Sequence, residues 1–232
     1  MYNFLVIGAS SGIAYTLALQ LAGSGNKVYA TYNKNKFESE NKLIEFHFLN
    51  VLDENIPFDF FPDVINGIVY CPGSISLCPF NRIKPEDFES DYQLQVIGAV
   101  KTIQAALPKL KNADNASAVL FSTVAEKTGL NFHSLVATSK GAIEGLTRAL
   151  AAEFAPKIRV NCVAPSLIDT PLAASLINND QKREANAQRH PLKRFGLPKD
   201  ITDITEFLLS EKSSWIIGQT FSVDGGMSSI KM

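Results

Sequence analysis

Gly8-Ala9-Ser10-Ser11-Gly12-Ile13-Ala14 carries the clearest chemical signal in this chain. It follows a short apolar run, Phe4-Leu5-Val6-Ile7, and opens a stretch with helical periodicity. Glycines at such a turn let backbone amides approach a pyrophosphate, and the helix N-terminus adds positive potential for it. Ala14, the third small position, still permits close packing of helix on strand. Strand, turn and helix in that order lift the glycine pair above an ordinary structural turn. The segment reads as a phosphate cradle.

A second group sits on a later helical pattern, Ser134–Phe154. His133 and Val136 stand seven and four residues before Lys140, about two turns and one turn back on the same face. An imidazole titrates close to neutral pH and can give up a proton to a neighbour. Following Gly129-Leu130-Asn131-Phe132, His133 also suits a plain hydrogen-bonding role where a helix begins. Ser134 and Tyr92 are weaker donors. Val136, between His133 and Lys140, is a hydrocarbon with no exchangeable proton.

The end of the second candidate strand reads Tyr32-Asn33-Lys34, without the Asp or Glu that would bind a ribose 2′-hydroxyl. With Lys34 and Lys36 nearby, this favours NADP over NAD. Solvated loop lysines would look the same, and NAD stays open.

Composition bounds the remaining classes. Of 232 residues, 46% are apolar, enough for a large core in a single domain. Lys plus Arg number 22 against 23 Asp plus Glu, so no strong field draws nucleic acid or an anionic membrane. No apolar stretch approaches the roughly 20 residues of a membrane span, and the N-terminal run lacks a basic flank. Cys71, Cys78 and Cys162 are scattered, which suggests reduced thiols in a cytoplasmic protein and no metal site.

These side chains need a scaffold. Short apolar runs alternate with helical patterns, the mark of βαβ units and a parallel sheet buried on both faces. Strands are predicted at Phe4–Ile7, Lys27–Thr31, Leu43–Phe48, Asp63–Tyr70, Ala118–Phe121, Arg159–Val163 and Thr220–Val223. Helices are predicted at Gly12–Ala22, Pro85–Leu110, Ser134–Phe154 and Lys199–Leu209, with a polar turn over Asn112–Ser117. The expectation is a doubly wound α/β domain of about seven parallel strands in three layers. The stretch 171–196, rich in Asn, Gln, Lys and Arg, is long for a connection; it reads as a lid over a site or as a surface helix with frayed ends. The mixed segment Arg189–Arg194 could attract an acidic carrier protein, although such cation runs more usually form a solvated face.

Taken together, these segments resemble the short-chain dehydrogenase/reductase family, and within it the 3-oxoacyl-carrier-protein-reductase-like branch. Gly8 to Ala14 looks like its glycine-rich turn. Tyr70-Cys71-Pro72-Gly73 is similar to its Asn-Asn-Ala-Gly segment and keeps only the glycine. Asn50-Val51-Leu52-Asp53 lies where an adenine-contacting Asp stands, with Asn50 in that place. Asn161-Cys162-Val163-Ala164-Pro165-Ser166 with Asp169-Thr170-Pro171 matches the nicotinamide-side loop, Ser166 replacing glycine. Gly218-Gln219-Thr220 and Val223-Asp224-Gly225-Gly226 look like the last strand.

The resemblance implies a cofactor, NADP or else NAD, held by Gly8, Ser10, Ser11, Gly12, Ile13, Asn33, Asn50, Val51, Gly73, Lys140, Pro165, Ser166, Ile168 and Thr170. It implies hydride exchange with a small carbonyl or alcohol, assisted by a tyrosine, a lysine, a serine and an asparagine. Here those positions are Val136, Lys140, Thr123 and Gln95. His133 falls where the enoyl-reductase branch keeps its tyrosine. A homo-oligomer, dimer or tetramer, is also implied. The expectation is an oxidoreductase with a degenerate proton donor; the alternative is a catalytically inactive relative that binds nucleotide or a partner subunit.

Overall fold

The computed structural model describes residues 1–34, 36–58 and 60–231. Seven strands form one sheet: β1 (Asn3–Ile7), β2 (Lys27–Tyr32), β3 (Ile44–Phe48), β4 (Gly67–Tyr70), β5 (Ala116–Phe121), β6 (Ile158–Pro165) and β7 (Thr220–Val223). All neighbours are parallel, in the order β3-β2-β1-β4-β5-β6-β7. Successive side chains on a strand point to opposite faces. Leu5 and Ile7 therefore join one core with Ile68, Leu120 and Val160, while Phe4 and Val6 join the other with Val28, Val69 and Val163.

Helices cover both faces and complete three layers. The first core is closed by α3 (Gly98–Lys111), through Ile103, Ala106 and Leu110, and by α5 (Ser134–Phe154), through Ile143 and Phe154. The second is closed by α1 (Gly12–Gly23), through Leu17 and Leu21, and by α7 (Pro198–Leu209), through Ile201 and Leu208. The strand order reverses between β1 and β4, which opens a crevice at their carboxyl ends, where such sheets hold ligands.

Several expected boundaries move. β4 starts at Gly67, not Asp63, because the amides of Ile65 and Asn66 bond to Lys109 and Asn3 outside the ladder. β5 begins inside the expected polar turn: Ser117 is buried, its hydroxyl donating to the Leu208 carbonyl at 2.8 Å. The single helix expected over Pro85–Leu110 is divided into α2 (Pro85–Tyr92), a π turn at Gln93–Ile97 and α3.

That π turn is held by a contact from β4. The Tyr70 hydroxyl donates to the Leu94 carbonyl at 2.5 Å, and the Gly98 amide reaches back five residues to Gln93. A Cβ on Gly98 would lie 2.3 Å from the Tyr70 oxygen, so only glycine fits there.

One α-helix was not expected. α4 (Val124–Thr128) is short and capped by the Thr123 hydroxyl, which accepts from the Ala125 amide at 3.3 Å. Within 171–196 lie a 3₁₀ turn at Pro171–Leu176 and α6 (Asp180–Gln188), capped by Asn179. The ends of this excursion meet at a bridge between Ile168 and Gly196, with hydrogen bonds from Asp169 to Gly196 and from Gly196 to Leu167.

Candidate active site

The crevice holds a cavity of about 400 Å³ at the carboxyl ends of β1, β4, β5 and β6. Gly8, Ser11, Gly12 and Ile13 line it from the first turn, and Gly73 from the loop after β4. Gln95 reaches it from the π turn, Thr123 from the end of β5, and His133 and Lys140 from α5. Pro165, Ser166, Ile168 and Thr170 close the far side. Ser10, Asn33, Asn50 and Val51 are not on its wall. Asn33 follows β2 and Asn50 follows β3, at the same sheet edge; Asn50 bonds to Asp53 at 2.6 Å and to the Leu52 amide at 3.2 Å.

The first turn has the shape its glycines allow. Gly8 and Gly12 adopt φ of 79° and 58°, the left-handed region that glycine enters freely. A Cβ on Gly8 would press on Pro72 at 3.1 Å. Thr31 anchors the turn from β2, accepting from the Gly8 amide through its hydroxyl at 3.0 Å and from Ala9 through its carbonyl at 2.7 Å.

Lys140 is half-buried and lines the cavity. Loss of hydration brings its pKa down to about 8, opposed by Cys162, Asp91 and Cys71. Burial also pushes the Cys71 and Cys162 thiols up to about 12. Both are therefore neutral near physiological pH, and Asp91 is the carboxylate of the three. Gly73 is the close neighbour on the other side: a Cβ there would stand 3.8 Å from Lys140 Nζ and 3.5 Å from Gln95 Oε1.

The residues around Lys140 differ in what they can do. The Thr123 hydroxyl caps α4 and lies 3.4 Å from the Pro165 carbonyl, while Ser122 turns away to Glu144 at 2.7 Å. Val136 is buried on the cavity wall. His133 Nδ1 lies 2.7 Å from the Asn131 carbonyl, so Nδ1 carries a hydrogen. Tyr92 is largely exposed and, like Ser134, is not on the cavity wall.

Two groupings escaped sequence reasoning. Asp91 is buried and accepts from Ser74, from Gln95 Nε2 at 2.8 and 2.7 Å, and from Ser139 at 2.6 Å. Gln95 is four residues away, but Ser74 and Ser139 lie 17 and 48 residues away along the chain, and no local spacing announces them. His190 corrects the reading of Arg189–Arg194 as a solvated face: it is 2% exposed, and Nε2 lies 2.8 Å from the Ser166 hydroxyl. Arg194, by contrast, pairs with Asp200 through both guanidinium nitrogens, at 2.6 and 2.9 Å.

A parallel sheet with this strand order, and a cavity at its switch point, defines a Rossmann-like α/β protein. The sequence profile described as Enoyl-(Acyl carrier protein) reductase matches residues 60–228. The 3-oxoacyl-(acyl-carrier-protein) reductase FabG of Thermotoga maritima is 31% identical over 242 aligned positions, covering 96% of either chain. Among solved structures, ligand-free aldohexose dehydrogenase of Thermoplasma acidophilum superposes with a TM-score of 0.87 at 26% identity, over 100% of this chain and 96% of that one. ElxO with NADP bound shares the fold at a TM-score of 0.87 and 24% identity, over 99% of each chain. The chain belongs to the short-chain dehydrogenase/reductase family of oxidoreductases.

Proposed function

We propose that this chain is an NADP-dependent oxidoreductase of a small carbonyl or alcohol, working with a degenerate proton donor at Val136. One observation carries the reading: the Lys140 ammonium stands inside the same cavity as an intact Gly8–Gly12 turn. The left-handed Gly8 and Gly12 and the close approach allowed at Gly73 fit a dinucleotide. In this reading Gly8, Ser11, Gly12 and Ile13 hold its phosphates, with Ser10 beside them. Asn33, Asn50 and Val51 hold the adenosine end along the sheet edge, and Lys34 and Lys36 favour a 2′-phosphate. Gly73, Lys140, Pro165, Ser166, Ile168 and Thr170 surround the nicotinamide end. ElxO, of the same fold, binds NADP. When bound, the cofactor would supply or accept the hydride.

The chain's own residues then orient the substrate and move the proton. Thr123 binds the substrate oxygen, Lys140 adds positive charge beside it, and Gln95 offers an amide oxygen to the cavity. His133, in its protonated form, gives the proton from Nε2 while the Asn131 carbonyl holds Nδ1. The excursion 171–196, closed at its base by Ile168 and Gly196, is the lid. The glycine at position 145, beside which a Cβ would meet nothing within 4 Å, leaves α5 room for a second copy in a homodimer or tetramer. Free Cys71, Cys78 and Cys162 suit a cytoplasmic setting.

The buried hydrocarbon at Val136 favours a second reading, an inactive relative that binds nucleotide or a partner subunit. Titration with NADPH and NADH, followed by a turnover screen on 3-oxoacyl thioesters and small ketones, separates the two. Tighter binding of NADPH with measurable oxidation supports the enzyme. Binding without oxidation supports the inactive relative, and no binding overturns both nucleotide readings.

A further inference from the structure

Asp91 sits where an acid is hard to keep. It lies on the inner side of α2, 6% exposed, against α5 and the loop after β4. Burying a carboxylate is unfavourable unless donors surround it. Ser74 and Ser139 each donate a hydroxyl, and Gln95 Nε2 bonds to both carboxylate oxygens. A carboxylate only accepts, and these four contacts supply it with donors on both oxygens.

Two consequences follow for the cavity. With its amide nitrogen committed to Asp91, Gln95 must turn its oxygen the other way. Gln95 Oε1 is buried and has no hydrogen-bond partner among the described residues, although Gln95 lines the cavity. It stands close to the Gly73 Cα on the side where Lys140 Nζ also approaches. The second consequence is electrostatic. Of the groups acting on the Lys140 charge, the Cys71 and Cys162 thiols are neutral near physiological pH. Glu144, one turn beyond Lys140 on α5, is held by Ser122 at 2.7 Å. The carboxylate acting on Lys140 is Asp91, which α5 holds through Ser139, the residue before Lys140, at 2.6 Å.

We propose that Asp91 is the positioning residue of this site: its carboxylate fixes the Gln95 amide with the oxygen toward Gly73 and the Lys140 side chain, and keeps that side chain charged. The proposal rests on Lys140 being the functional cation. It accounts for three polar side chains, Ser74, Asp91 and Ser139, converging at the back of a cavity whose proton-donor position is apolar. The π turn is part of the device. It displaces Gln95 relative to a regular helix, on a segment whose widened geometry often marks function. A mere structural cement between α2 and α5 would need neither the orphaned oxygen nor the charge.

The test reads Lys140 directly and needs no nucleotide. Trace acetylation across a pH series, followed by mass spectrometry of the Lys140 peptide, gives the midpoint of its titration. Asp91→Asn keeps the shape and removes the charge, and should lower that midpoint by about one unit. Ser139→Ala removes one donor and keeps the charge, and should leave the midpoint in place. An unmoved midpoint in Asp91→Asn, or an equal fall in both variants, overturns the proposal. Should Asp91→Asn not fold, the triple change Ser74→Ala, Asp91→Leu and Ser139→Ala replaces the whole cluster by hydrocarbon and is read against the same expectation. A wild type that shows the shift but binds no NADPH would sink the proposed function and leave the role of Asp91 standing. NADPH binding with no shift would do the reverse.

Discussion

The Ser166 hydroxyl lies 2.8 Å from Nε2 of His190, whose Nδ1 is 2.8 Å from the Asn186 carbonyl. The carbonyl requires a hydrogen on Nδ1, and the Ser166 hydroxyl also lies 3.1 Å from Met227 Sδ. The pair ties the loop after β6 to the end of α6, with His190 wholly enclosed. Replacing Ser166 by alanine leaves a buried ring nitrogen unpaired and should cost about 1–3 kcal/mol. Urea denaturation of Ser166→Ala measures this, and a loss well under 1 kcal/mol would show that the bond is incidental.

Lys140 makes stability depend on pH with a definite sign. Its pKa falls from the usual 10.5 to about 8 in the folded chain, so between those values the unfolded chain holds more protons. Stability should therefore rise as pH climbs through that window, because the folded state sheds a charge it solvates poorly. Lys140→Met should flatten the rise and add on the order of 1–3 kcal/mol at neutral pH. Affinity for NADPH should move the opposite way, weakening above about pH 8 as the ammonium loses its proton. Melting curves and fluorescence titrations over that range check both.

Val136→Tyr restores a phenol one turn before Lys140 and should raise carbonyl reduction by roughly 10²–10⁴-fold. Val136 is buried, so the larger ring should also cost about 1–3 kcal/mol of stability. An unchanged rate in a folded variant would mean that more than the donor has decayed. His133→Ala in the native background is the companion measurement. If the imidazole is the working acid, turnover falls by a similar factor; if turnover is unaffected, His133 has no part in the chemistry.

Gly98→Ala should be far more harmful than an alanine in an ordinary helix, since its methyl would stand 2.3 Å from the Tyr70 oxygen. A loss of about 2–4 kcal/mol is expected, and it should shrink in a Tyr70→Phe background, where that oxygen is gone. Equal losses in both backgrounds, read from denaturant midpoints, would place the clash elsewhere.

What the sequence disclosed follows from the range of the interactions involved. The strands at Phe4–Ile7 and Thr220–Val223, and the helix Ser134–Phe154, are set by local periodicity, and the observed bounds match the expected ones or differ by a single residue. The glycine turn was legible because a positive φ at Gly8 and Gly12 is a demand on the residue itself. Lys140, Gln95 and Thr123, the positions implied by the resemblance, line one cavity. The break in the Pro85–Leu110 helix was not legible, because its cause is a hydroxyl on another strand. Asp91 and His190 were hidden for the same reason: each reads as a surface residue by its neighbours and is buried by partners far along the chain.

The bridge between Ile168 and Gly196 means that the backbone leaves the scaffold and rejoins it at almost the same point. The intervening stretch is thus a detachable module. It can be exchanged for one of different length or polarity while β6 and α7 stay in register. Diversity in what the protein admits can accumulate there without remodelling the sheet that anchors the chemistry.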